Sequence, residues 1–234
     1  MTAILVFLAV VAAVGFWWLA HQRLLSKPWL EQGVIGDSTG IEGYSRPAVR
    51  VGLGLFLAVV GSLFALLIAA YFIREDGGDW QPLPVPAVLW FNTGLLVLAS
   101  AALEWALRAT RRGDTASVNW ALVAASGFGL AFVAGQLFAW QILAAQGYFL
   151  AANPANSFFY LITGLHGLHV IGGIVALSRV TAGAWTDEQR ERVDMGVELC
   201  TTYWLFMLFV WVILFSLLTG GASQFIDICR QLLS

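Results

Sequence analysis

Six stretches of mostly apolar residues, at positions 3–20, 51–73, 87–107, 118–143, 158–177 and 197–219, take up the greater part of this 234-residue chain. A run of about 20 such residues, wound into a helix, matches the thickness of a bilayer's hydrocarbon core. Lipid offers backbone N–H and C=O groups no partner, so a spanning segment of this kind must bond within itself as a helix. The expected fold class is therefore all-α: a polytopic membrane helical bundle of six transmembrane helices. Composition agrees, because charged residues make up 11% of the chain where soluble domains carry about 25%. A net charge of -2 with no basic stripe argues against a nucleic-acid partner. The loops are too short to form a separate soluble domain.

The first span lacks an N-terminal cationic region and a small-residue cleavage pattern, and it ends in Trp17, Trp18 and His21, which suits a retained interface anchor rather than a signal peptide. Arg23, Lys27, Arg46, Arg50, Arg108, Arg111, Arg112, Arg179, Arg190 and Arg192 follow spans one, three and five, whereas Arg74 and Arg230 alone fall on the opposite side. That asymmetry puts both termini on the non-cytoplasmic side. The connection 21–50 contains Pro28 and Pro47 and is expected to be an irregular cytoplasmic segment, and Pro82, Pro84 and Pro86 should keep the next outer loop extended and stiff. Cys200 and Cys229 fall near opposite ends of the last span, too far apart for a disulfide. Beyond that span, Phe225, Ile228, Cys229, Leu232 and Leu233 recur at helical spacing, which predicts either a short amphipathic surface helix or a frayed tail.

Polar residues inside the spans are few, and each is costly unless paired. His166 and His169 lie three apart on one helix, so they cannot ligate opposite faces of one haem. The third histidine, His21, is near the end of another span. The chain is therefore expected to bind no haem and no metal of its own. The imidazoles instead suit hydrogen bonds to neighbouring helices, with Thr163, Gly164, Gly167, Gly172 and Gly173 permitting close approach, or contact with lipid headgroups. Glu104 stands four residues before Arg108, the spacing of an ion pair. Glu198 opens the last span, where the helix dipole favours a carboxylate, and both structural anchoring and a proton-linked role fit it. Asn92 and Thr93 in the third span, with Gln136 and Gln141 in the fourth, are placed to hydrogen-bond between helices.

The run FFYLITGLHGLHVIGG, residues 158–173, resembles the TGxHGxHV helix of the haem-copper oxidase subunit III family, the subunit III of cytochrome c oxidases. Weaker matches follow the family's order: Asn92-Thr93 with the apolar run to Ser100, Gly135-Gln136 with Trp140, and Glu198 leading to Tyr203-Trp204 and Trp211. The resemblance covers spans two to six. It implies an extra N-terminal helix and cytoplasmic loop at 1–49, a five-helix core at 50–221 and a short amphipathic segment at 222–234. It also implies a bacterial inner-membrane subunit without redox centres, packed beside oxidase subunits I and II, which hold haem and copper. Such a subunit binds phospholipid in a helical cleft and sustains turnover. His166, His169, Glu198, Tyr203 and Trp204 are then expected to maintain the cleft, with Asn92 and Gln136 in its packing and Arg50 facing a lipid phosphate.

The chain departs from the family in three places. Ser62 stands where many members carry a buried glutamate, Leu205 where histidine is frequent, and Ala139 where a glutamate often precedes the aromatic. These departures weigh against a proton antenna built of buried carboxylates and leave the packing and lipid roles in place. A relative serving nitric oxide reductase would share the five core helices. A transporter would be expected to show inverted repeats or a charged midplane site, and neither is evident. A stand-alone redox enzyme is opposed by the histidine count. The choice of cytochrome c or quinol as donor belongs to another subunit.

Overall fold

The computed structural model describes residues 46–75, 77–186 and 190–220, whose regular structure is helical with no strand among them. The helices are α1 (Arg46–Glu75), α2 (Val88–Arg112), α3 (Thr115–Ala145), α4 (Pro154–Trp185) and α5 (Arg190–Leu218). All five are long and apolar enough to cross a membrane. The expectations for the first span, Cys229 and the segment 222–234 lie outside the described residues. The chain divides into two compact units, Met1–Leu66 and Leu67–Ser234, and α1 carries residues of both.

Each helix is longer than the apolar run that predicts it, because the run measures the hydrocarbon whereas the helix continues to its caps. α2 passes through Arg111 and Arg112 and stops where Gly113 adopts a left-handed φ of 76°, a conformation glycine takes without steric cost. Asp114 then caps α3, its carboxylate accepting from the Ser117 N–H at 3.1 Å and the Ser117 hydroxyl at 2.5 Å. Those two hydrogen bonds hold the Asp114 carboxyl below the usual carboxylate range. Asn153 caps α4, accepting from the Ala155 N–H at 3.2 Å, with Pro154 in the first turn.

In the second unit α2, α3, α4 and α5 form a ring in which α2 packs on α3, α3 on α4, α4 on α5 and α5 back on α2. Successive helices run antiparallel, an up-down-up-down bundle. The buried positions of α2 (Leu89, Asn92, Leu96, Ala99, Leu103, Ala106) and of α3 (Leu122, Ala125, Gly129, Phe132, Gln136, Ala139, Leu143) advance by alternating steps of three and four. That spacing makes a continuous seam of the left-handed coiled-coil kind. Large apolar side chains such as Phe91, Trp120, Leu130 and Leu168 point outward, as lipid or an apolar neighbour requires.

The Pro-rich connection from Trp80 to Pro86 has no regular structure, as the prolines predict, and it is fastened at two points. The Asn153 amide donates to the Gln81 carbonyl at 2.6 Å, and its oxygen accepts from the Gln81 N–H at 3.4 Å. Trp80 lies edge-on to Tyr71 at 4.9 Å between ring centroids, and Tyr71 meets Phe158 at 5.8 Å. Nearby, Arg74 pairs with Asp79 at 2.5 Å, which holds the Asp79 carboxyl below its ordinary range.

Candidate functional site

The polar groups of the bundle converge on its interior from all four helices of the ring. His166 is fully buried on α4, and its Nε2 lies 3.2 Å from the Met207 carbonyl of α5. A carbonyl only accepts, so Nε2 carries the proton in this contact. The imidazole sits among aromatic rings: Trp211 at 4.9 Å and Phe132 at 5.7 Å between centroids. Trp211 in turn donates from Nε1 to the Thr93 hydroxyl at 2.9 Å, tying α5 to α2. Trp140 donates to the Thr163 hydroxyl at 3.1 Å, tying α3 to α4. Both threonine hydroxyls pass their own protons to the carbonyl four residues earlier, so each serves as acceptor and donor at once.

His169, one turn along α4 and half-buried, uses its imidazole differently. Its Nδ1 donates to the Leu165 carbonyl of its own helix at 2.8 Å, while its backbone carbonyl accepts from the Tyr203 hydroxyl of α5 at 2.7 Å. The approach of Tyr203 depends on Gly173, where a Cβ would lie 2.7 Å from the phenol ring. Trp204, wholly buried, presses on α3 at Gly129, where a Cβ would fall 2.5 Å from the indole. Its Nε1 has no hydrogen-bond partner among the described residues.

The remaining expected residues divide. Asn92 is buried in α2 against Gly135, where a Cβ would collide with its amide. Gln136 is buried beside it on α3. The interhelical hydrogen bonds expected of these two side chains are not formed: neither has a hydrogen-bond partner among the described residues. The seam places both carboxamides between apolar layers, and Thr93, one residue from Asn92, takes the bond to α5 instead. Glu198 is half-buried and lies about two turns inside α5, which begins at Arg190, so the first-turn place beside the helix dipole expected of it is not met; its carbonyl accepts from the Thr202 hydroxyl at 3.0 Å. Glu104 and Arg108 form the expected pair at 3.8 Å. Arg50 is exposed at the start of α1 in the other compact unit. Ser62, also in that unit, is exposed and donates to the Ala58 carbonyl at 2.8 Å.

No group of three or more His, Cys, Asp and Glu side chains among the described residues could hold a metal ion. Side-chain hydrogen bonds between helices run from Trp211 to Thr93, from Trp140 to Thr163, from His166 to Met207 and from Tyr203 to His169. Sequence reasoning passed over two contributors. The Met207 carbonyl is invisible to any reading of side-chain types, and Phe132 looks like any other apolar residue.

The family model for cytochrome c oxidase subunit III matches residues 2–219. The chain belongs to the cytochrome c oxidase subunit III family. It is 31% identical over 184 residues to a probable cytochrome c oxidase subunit 3 of Mycobacterium bovis, covering 76% of this chain and 91% of the relative. Similar identity, 31% over 185 residues, links it to the cytochrome c oxidase subunit 3 of Thermostichus vulcanus, across 75% and 89% of the two chains. The Synechocystis subunit 3 is 30% identical over 213 residues, 84% of this chain and 89% of its own. With its apolar helices, the subunit III chain is a multi-pass membrane protein.

Proposed function

We propose that this chain is the non-catalytic subunit III of a bacterial respiratory haem-copper terminal oxidase, packed in the plasma membrane against subunits I and II. Those partners carry the haem and copper, reduce oxygen and translocate protons. The chain stabilises the catalytic subunit and binds phospholipid. In this reading six helices cross the membrane with both termini on the non-cytoplasmic side. Residues 1–49 add a helix and loop to the family core at 50–221, and 222–234 form a short amphipathic segment.

The observation that carries the reading is how the family's histidine helix is used. His166 bonds the Met207 carbonyl, and the His169 carbonyl receives Tyr203, so the motif fastens α4 to α5. Tyr203, Trp204, Asn92 and Gln136 belong to the same packed interior. Arg50 stands near the start of α1, where water and lipid phosphate reach charged groups, and Glu198 lies farther inside α5.

Purification of the tagged chain from its native membrane in mild detergent, with mass spectrometry of partners and a reduced-minus-oxidised spectrum, tests this. Subunits I and II with haem bands and oxygen consumption are expected. Nitric oxide reductase subunits, or a colourless solitary protein, would overturn the assignment.

A further inference from the structure

Matching the buried positions of the antiparallel α2–α3 seam in order pairs Leu103 with Ala125, Ala99 with Gly129 and Leu96 with Phe132. The next layer pairs Asn92 with Gln136, and the one beyond pairs Leu89 with Ala139. The close approach of the Asn92 amide to Gly135, the residue before Gln136, agrees with this register to within one residue. A single layer of two carboxamides is thus clamped between apolar layers. Asn92 is 0% and Gln136 4% exposed. All four of their polar atoms are buried, and none has a hydrogen-bond partner among the described residues.

We infer that Asn92 and Gln136 form a binding site for internal water within the α2–α3 seam. The chemistry selects that ligand. A carboxamide presents N–H donors and a carbonyl acceptor together, so its partner must accept and donate within one small volume. A cation satisfies only the oxygens, an anion only the nitrogens, and a lipid ester or phosphate diester donates nothing. Water does both, and a buried water characteristically makes about three bonds to groups otherwise left without partners. The helix backbone cannot substitute at the oxygens, because its N–H groups within α2 and α3 are already committed to intrahelical bonds. Gly135 contributes by leaving room for the Asn92 amide.

A density map of the purified complex, at a resolution where ordered water is visible, decides the matter. Density is expected within about 2.7–3.2 Å of polar atoms on both Asn92 and Gln136. Side chains bonded directly to each other, with no density between them, would overturn the site. In Gln136→Leu the density should vanish and the thermal midpoint fall, since Asn92 loses its bridge. In Asn92→Leu with Gln136→Leu much of that fall should be recovered, because no polar group remains to desolvate. Density persisting in the double variant would likewise sink the assignment. Should either variant fail to fold, the map of the unaltered protein gives the answer alone.

Discussion

At the scale of single residues, the glycines of this bundle are not equivalent, and the difference can be measured. A Cβ at Gly129 meets the Trp204 indole, one at Gly135 the Asn92 amide and one at Gly173 the Tyr203 ring, whereas Gly127, Gly167 and Gly172 have nothing within 4 Å. Alanine at the first three should cost about 1–3 kcal/mol through overpacking. Alanine at the other three should be neutral or slightly stabilising, since it favours the helix. Denaturant titration of the purified chain, followed by helical circular dichroism, would check the ranking, and equal effects in both groups would refute it. Tyr203→Phe isolates one hydrogen bond, the 2.7 Å contact with the His169 carbonyl, and should cost about 0.6–2 kcal/mol in the same assay. Sequence shows Gly172 and Gly173 side by side in the histidine motif but cannot say which one admits the phenol. That depends on a residue of α5, thirty positions away, whose azimuth only the packed pair defines.

At the scale of elements, apolar runs located all five described helices, while their ends are set by caps. Asp114 precedes the apolar run of α3 by four residues, so a hydropathy window passes over it, yet its bonds to Ser117 start the helix. Because its carboxyl is held below the usual range, the cap's contribution is complete above that range. It is lost as pH falls through the depressed value, when the carboxylate gains a proton and stops accepting from the N–H. Protection of the Ser117 amide and its neighbours, taken relative to their intrinsic exchange rates, should therefore persist in mild acid and fall only below the ordinary carboxylate range. Asp114→Ala should show the lower protection already at neutral pH and little further response to acid. A pH response identical in the two proteins would show that the cap is not responsible. Asn153 is the stronger case, since one side chain caps α4 and holds Gln81. Asn153→Ala should cost about 1–2 kcal/mol and make the Pro-rich connection more sensitive to proteases, a pairing of effects that a cap alone would not produce. The sequence marks Asn153-Pro154 as a helix start, but the partner at Gln81 lies 72 residues away and follows from tertiary structure.

At the scale of the whole molecule, the described residues of the ring bury Asn92, Gln136, Thr163 and His166 among Trp204, Trp211 and Phe132 while other large apolar side chains face outward, so cohesion between helices rests on close packing and a small set of hydrogen bonds rather than on exclusion of water. Three of these bonds, from Trp211 to Thr93, Trp140 to Thr163 and His166 to Met207, link α2, α3, α4 and α5 in series. Loss of one link should loosen the ring without unwinding any helix. That distinction separates the two histidines: the imidazole of His166 crosses to α5, while that of His169 bonds within α4. His166→Leu should therefore weaken the α4–α5 contact by about 0.6–1.7 kcal/mol, equivalent to about a 3- to 20-fold shift in a coupled assembly equilibrium. His169→Leu keeps the backbone carbonyl that receives Tyr203 and should do less. The double variant should show reduced retention in the complex, read as the ratio of this chain to its partners by quantitative mass spectrometry, together with a shorter lifetime of oxygen turnover. Helical circular dichroism should be unchanged throughout. Equal retention of both single variants and the double, with the same turnover lifetime as the unaltered protein, would remove the histidine helix from any account of assembly.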